Sequence, residues 1–421
     1  MMKESFMKRR DFAMKTLTGA TTIMAGLPLH GHRLYGNQAG TKPNASTSLR
    51  KIIFRAHTHK LGIINEDGSG LEYLTFDIPG QVGWGYGPSF SDGRRIILNS
   101  YEEGKTWEGN VLSHMWIYDF EKKTLTEIAT KNRPANYNVP CCLLPGEHRL
   151  VTGPVIGGEQ RVLIMNLDGS DQVEITREGE GFTYGVSLSP NGKHLAFHVT
   201  NVMPYSIFSI GIDGSNRTLI ASHPDHLYFG TSWSPDGAWI LYQDCHNKID
   251  PGHDWSNLCI GRPDGSEHRV ITEDCRHWFG TSYGNPDTRG GGSNMPQWSP
   301  DGSVVTYTRA KPNSLTAWQW ATDRPDTDHF NRDYKPEEAR GGTDICLLNP
   351  LTKKTTPITN NEPLIWDFRT VWAPEGDNIA FCRATVGNPS ELWIMDADGK
   401  NQRFLTRGEF DRGVDHPRFV S

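Results

Sequence analysis

Two short stretches at opposite ends of the chain carry the residue types a metal site needs. His57-Thr58-His59 sets two imidazoles at i and i+2, which point the same way in an extended segment, and Asp415-His416 adds a carboxylate and a third imidazole. Neutral imidazole with carboxylate suits Mn, otherwise Zn or Fe, rather than Ca. These four residues are the candidate metal ligands, although a solvated His-x-His in a loop is the commoner pattern. A second set gathers His226, His246, His253 and His277 in one stretch of the chain, with Arg309, Arg369 and Arg383 at neighbouring strand ends. No H-E-x-x-H or Gly-rich phosphate loop offers a compact zinc or nucleotide site.

Residues so far apart in sequence need a scaffold that brings them together, and an internal repeat provides one. Trp233-Ser234-Pro235-Asp236-Gly237 recurs as Trp298-Ser299-Pro300-Asp301-Gly302 and, less strictly, at Phe90-Ser91-Asp92-Gly93, Leu188-Ser189-Pro190-Asn191-Gly192 and Trp372-Ala373-Pro374-Glu375-Gly376. Each copy is followed by an apolar run and then a second polar turn, such as Asp213-Gly214 or Asp264-Gly265. Pro presets φ, Asp bonds its own backbone and Gly accepts φ > 0, so these are hairpin turns. Each repeat is a four-stranded antiparallel meander. Six complete copies begin near residues 84, 138, 184, 228, 293 and 366. Residues 51–76 supply three strands of a seventh, and the C-terminal segment Asp415-His416-Pro417-Arg418-Phe419-Val420 supplies its first. The expected fold is therefore all-β: a seven-bladed β-propeller over residues 50–421, a single domain whose ring is closed by the C-terminal strand joining the N-terminal blade.

The rest of the composition narrows the function. A formal net charge of -6 with Lys and Arg scattered singly leaves no basic stripe for nucleic acid. Lys8-Arg9-Arg10-Asp11-Phe12-Ala13-Met14-Lys15, ahead of a modest apolar run, resembles a twin-arginine export signal over residues 1–31, and 32–49 read as a flexible leader. The expectation is a periplasmic or secreted protein with no membrane span once the signal is removed. The seven cysteines include no C-x-x-C pair; most lie on apolar runs as buried thiols, while Cys245 and Cys275 stand in long loops where an oxidising compartment would let them pair.

In a meander array the first-to-second and third-to-fourth turns emerge on one face of the disc, and here they are all tight. The long excursions, 101–113, 244–256, 273–294 and 311–343, all fall on the other face. Binding and catalysis concentrate on such loops, so the site is expected at the channel mouth there. Aligning the repeats places Tyr86, Asn138, Tyr184, Tyr228, Asn294, Arg369, Asp415 and His416 at the entries of the inner strands. With Trp255, Arg309 and Trp318 from the excursions, they mix rings that stack on sugars with polar tips that bond hydroxyls. Simple packing of these rings over the channel is an equally plain reading.

The repeat phrases resemble those of TolB-like propellers (PD40/WD40-like repeats) over nearly all of residues 50–421. Among exported single-domain members the chain looks most like the oligogalacturonate lyases, seven-bladed propellers with a divalent cation at the channel mouth. Their C-terminal pattern, His-x-His-Pro-x-Phe preceded by Gln, is kept here only as His416-Pro417-Arg418-Phe419. Val414 stands where the earlier His would be and Asp411 where the Gln would be. The resemblance implies β-elimination on acidic, uronate-containing oligosaccharides such as pectin fragments. That reaction needs a cation to neutralise the carboxylate and a base to take the adjacent proton. Arg369 or Arg383 would serve the carboxylate, His253 or His277 the proton, and His57, His59, Asp415 and His416 the metal. The alternative is a non-catalytic TolB-like propeller that binds a protein or glycan on its loop-rich face.

Overall fold

The computed structural model describes residues 49–57, 60–103, 113–128, 140–200, 204–245, 254–321, 331–408 and 413–420. The described chain is almost entirely β. Its helical element is one short 3-10 turn, Pro336–Glu338, and no helix among the described residues is long and apolar enough to cross a membrane.

The turn phrases act as their residue types demand. In Trp233-Ser234-Pro235-Asp236-Gly237, the Gly237 N–H donates to Ser234 O at 2.8 Å, and the Asp236 carboxylate accepts from Ser234 Oγ and from the Ala238 N–H. Gly237 takes φ 72, a conformation open to glycine at little cost. The same arrangement recurs at Ser299 and Asp301. Between these turns the second strands of the repeats are buried on both faces: Ile240–Cys245 is buried throughout. That is the pattern of a strand packed between two other sheets.

These meanders stand around one another in a propeller arrangement. The Trp233 indole donates to Ser187 O of the preceding repeat, and the Trp298 indole donates to Ser232 O of the repeat before it. Each tryptophan thus fills the gap between two sheets while its N–H stays satisfied.

Five four-stranded sheets stand separately, rather than the seven the repeat count predicts. The two remaining runs of strands share a nine-stranded sheet. His277–Trp278 pairs with Trp255–Gly261 on one side and, through His277, with Val305–Ala310 on the other. The physical cause is Trp278, whose ring is buried against Trp366 and Phe368 and draws its segment into the space between the runs. The long segments expected as loops also hold structure of their own. Gly280–Tyr283 pairs with Gly290–Ser293, and Trp318–Trp320 with Arg332–Tyr334.

Asp415–Val420 is the fourth strand beside Lys51–His57, in antiparallel register from Lys51 opposite Val420 to Arg55 opposite Asp415. Arg50 ties the same end of the chain to the repeat before it, bonding Glu66, Glu375 and Asp377. None of the seven cysteines forms a disulfide, so Cys245 and Cys275 are not joined; Cys245 is buried in its strand and Cys275 sits half-buried after the next.

Candidate functional site

The first strands of several repeats break register, and the broken position shows which side chains the fold singles out. In Phe182–Leu188 and Leu227–Trp233 the residues at the break are Gly185 and Gly230, with φ 59 and 67. At the matching breaks in Ile365–Trp372 and Asp415–Val420 stand Arg369 and His416, with φ 54 and 51. A side chain in this left-handed region costs about 1 kcal/mol or more relative to glycine. Such outliers are retained chiefly where the side chain has work to do.

Both side chains converge on Asp415. Arg369 Nε donates to Asp415 Oδ1 at 3.0 Å, and His416 Nδ1 lies 3.1 Å from Asp415 Oδ2. The backbone N–H of His416 and the hydroxyl of Tyr283 also bond this carboxylate. Burial alone would raise the Asp415 carboxyl, but His416 and Arg369 outweigh it and hold the group well below the usual carboxylate range. Burial, and then the positive charge of Arg369, push the His416 imidazole down to about 4. Near neutral pH Asp415 is therefore ionised and His416 neutral, beside the Arg369 guanidinium.

The elements behind the set keep it rigid. Asn294, buried, accepts the Arg369 backbone N–H through Oδ1 at 2.9 Å and donates to Trp278 O and Thr308 Oγ1. Gly292 makes room for the guanidinium, since a Cβ there would lie 3.1 Å from Arg369 Nη2. The Gly280–Tyr283 hairpin strand seats Tyr283 on Phe368, ring centroids 4.6 Å apart, which aims its hydroxyl at Asp415.

Around this centre lie polar atoms with no hydrogen-bond partner among the described residues. Arg369 Nη2, Arg55 Nε and the Tyr86 hydroxyl are each shut off from solvent and unbonded. An unmet polar group in such surroundings costs on the order of 1–3 kcal/mol, and three in one neighbourhood mark a place suited to a ligand. Tyr86 is raised above its ordinary value, by burial first, so its hydroxyl keeps its proton.

Of the residues expected at the site, the structure gathers Arg369, Asp415, His416, Asn294 and Tyr86. Others it employs elsewhere. His277 is buried, with Nε2 2.9 Å from Asn294 O and Nδ1 3.2 Å from Thr308 O, so both ring nitrogens face backbone carbonyls and neither meets a substrate. Arg383 faces the fully buried Asp367 across the strand pair with two bonds, at 2.7 and 2.9 Å, and also bonds Asn361. Its charge is consumed in holding that carboxylate. Arg309 bonds Asp274 on the second strand of its sheet, away from the inner strands.

The aromatic candidates are mostly packing. Trp318 is buried, its indole donating to Gly284 O and its ring beneath Arg289. Tyr228 is buried edge-on to Tyr242. Half-buried Tyr184 stacks with Phe182 and His198, and half-buried Trp255 with Trp366. Asn138, His59 and His253 lie outside the described residues, as does the side chain of His57.

The four proposed metal ligands can be tested in part. No group of three His, Cys, Asp or Glu among the described residues is placed to hold a metal ion. Asp415 is already bracketed by Arg369 and His416, and a divalent cation would meet the repulsion of a guanidinium at contact distance. The described residues therefore suit an anion better than a cation.

Arg55, Tyr283 and Arg418 carry no motif and escape a motif-based reading. The signal that finds the centre is the comparison of broken positions: glycine in two repeats, Arg369 and His416 in two others.

No family model matches the chain, and no match is found among curated proteins. Solved structures do resemble it. An oligogalacturonate lyase from Vibrio parahaemolyticus is 13% identical with a TM-score of 0.51, over 87% of this chain and 90% of that one. An oligogalacturonate lyase in complex with manganese is 14% identical, over 76% and 75%, with a TM-score of 0.49. TolB from Acinetobacter baumannii is 12% identical, over 87% and 81%, with a TM-score of 0.44. At such identities the likeness shows the propeller fold alone, and the Vibrio protein carries that statement.

Proposed function

We propose that this chain is an exported seven-bladed propeller lyase that cleaves acidic, uronate-containing oligosaccharides by β-elimination. On this reading two of its blades are fused through His277–Trp278, Asp415–Val420 seals the ring, and residues 1–31 direct export to the periplasm or beyond. The observation that carries the reading is the inner-strand cluster. It combines an anion-seeking guanidinium in Arg369, a neutral imidazole beside a carboxylate in His416 and Asp415, and a protonated phenol in Tyr86.

Arg369 Nη2, with Arg55 beside it, would take the uronate carboxylate and stabilise the charge that develops on it as the C5 proton leaves. His416 would accept that proton. Asp415 would hold the imidazole in place and stabilise the imidazolium, as a carboxylate does in a catalytic triad. A substrate carboxylate on Arg369 also screens the cation that depresses His416, so binding would make the base stronger. The C5 electron pair forms the C4–C5 double bond, the C4–O bond breaks, and Tyr86 would give the leaving oxygen its proton. The expected Mn, Zn or Fe does not suit the described residues, and no step is routed through it.

A second reading, a non-catalytic propeller that binds a glycan or protein on the same face, is favoured by the packing of Tyr228 and Trp318 into the body of the protein. Ultraviolet absorbance of unsaturated uronate, followed on mixing purified protein with oligouronides in EDTA, tests the choice. Steady product formation that His416→Ala abolishes supports the lyase. Binding without product supports the second reading.

A further inference from the structure

Arg418 is the residue that the lyase reading leaves unused. It is half-buried on the C-terminal strand, and among the described residues its side chain hydrogen-bonds from Nη1 to Gly87 O at 2.6 Å. It has no carboxylate partner among the described residues. Arg55 has none either, and its Nη2 lies 3.5 Å from where a Cβ on Gly85 would stand. The two guanidiniums therefore flank Tyr86, one against the residue before it and one against the residue after it. The unbonded Tyr86 hydroxyl, on a residue 8% exposed, lies in the field of both. Arg55 also lies in the field of His416, next to the Arg369–Asp415 pair. A semi-buried guanidinium without a matching anion is unfavourable.

We propose that Arg418, Tyr86 and Arg55 form a second anion subsite beside Arg369, so that the ligand carries two negative groups on neighbouring positions of an acidic sugar chain. This rests on the acidic-sugar reading of the same cluster, but it concerns recognition and is independent of turnover. One acid group sits at Arg369; the other is held between Arg418 and Arg55 and accepts from the Tyr86 hydroxyl. Two sources share this chemistry: a carboxylate on the adjacent sugar, or a sulfate ester on the uronate itself.

The test is isothermal titration of the full chain in EDTA with galacturonate, digalacturonate, digalacturonate methyl-esterified at both carboxylates, and a sulfated monouronate. A second charge-assisted contact predicts at least roughly tenfold tighter binding of a doubly charged sugar than of galacturonate. Tight digalacturonate assigns the second group to a carboxylate, and tight sulfated monouronate assigns it to a sulfate ester. Arg418→Gln should erase that preference and Arg418→Lys should keep most of it. Equal affinity of the wild-type protein for the singly and doubly charged sugars, or no binding of any of them, overturns the subsite whether or not the variants fold. Strong binding without unsaturated product overturns the lyase reading and leaves the subsite standing.

Discussion

Arg369 and Asp415 are 46 residues apart in sequence and meet in an ion pair of 3.0 Å, each on an inner strand of a different sheet. Arg369 reaches it from a backbone with φ 54. The contact joins the C-terminal strand to the repeat before it and places a carboxylate beside the Arg369 guanidinium.

Replacing Arg369 separates its two roles. Arg369→Ala should lower kcat/KM on oligouronides by about 10²-fold or more, the loss typical of a preorganised charge-stabilising group. Arg369→Gly should lose the same activity yet be more stable than the Ala variant by about 1 kcal/mol, because glycine occupies a positive φ without strain. Urea unfolding of the two variants checks this, and an Ala variant as stable as the Gly variant would count against the strain argument.

Removal of residues 415–420 should do more than shorten the chain. It uncovers the hydrogen-bonding edge of Lys51–His57 together with buried Ile52 and Phe54, an invitation to edge-to-edge association. The truncated protein is expected in the void volume on size-exclusion chromatography and to be cut quickly by protease. A monodisperse, protease-resistant product would show that the strand is dispensable.

Acid should destabilise the protein through its buried histidines. His198 accepts the Gly230 N–H at Nδ1, 3.2 Å away, and burial pushes it down to about 3; burial likewise takes His277 to about 4. The unfolded chain binds protons near the ordinary value of about 6.5, and the folded chain resists until well below it. Stability is therefore full above about 6.5 and falls as pH drops toward 4. In His198→Gln the slope of the urea midpoint against pH over that window should be shallower; an unchanged slope would remove His198 from the account.

The thiols should be inert but for one. Burial pushes Cys141 and Cys346 up to about 12, and of the seven only Cys275 is not fully buried. Maleimide under native conditions should label one site, located by peptide mass mapping at Cys275, and reducing agent should leave the melting temperature unchanged. Rapid native labelling of several sites would contradict the packing.

What the sequence determined by itself was the class of structure and its period. The Ser-Pro-Asp-Gly phrases encode their turns locally, through φ preset by proline and carboxylate-to-backbone bonds, so strands and hairpins were legible without a fold. The pairing of Asp415–Val420 with Lys51–His57 was legible too, because each was an incomplete repeat. What only the tertiary structure decided was which polar residues keep free valences. Arg383 and Arg369 look alike in the chain, yet one is consumed by Asp367 and the other keeps an unbonded nitrogen. His277 and Trp318 sit in segments that look like open loops and are instead buried among neighbouring sheets. Arg55 and Arg418 flank Tyr86 because Lys51–His57 pairs with Asp415–Val420 and Gln81–Ser89 of a neighbouring sheet packs against them. Local conformation follows from a few adjacent residues, whereas the partners of a side chain depend on which sheets meet, and that is settled by packing across the whole assembly.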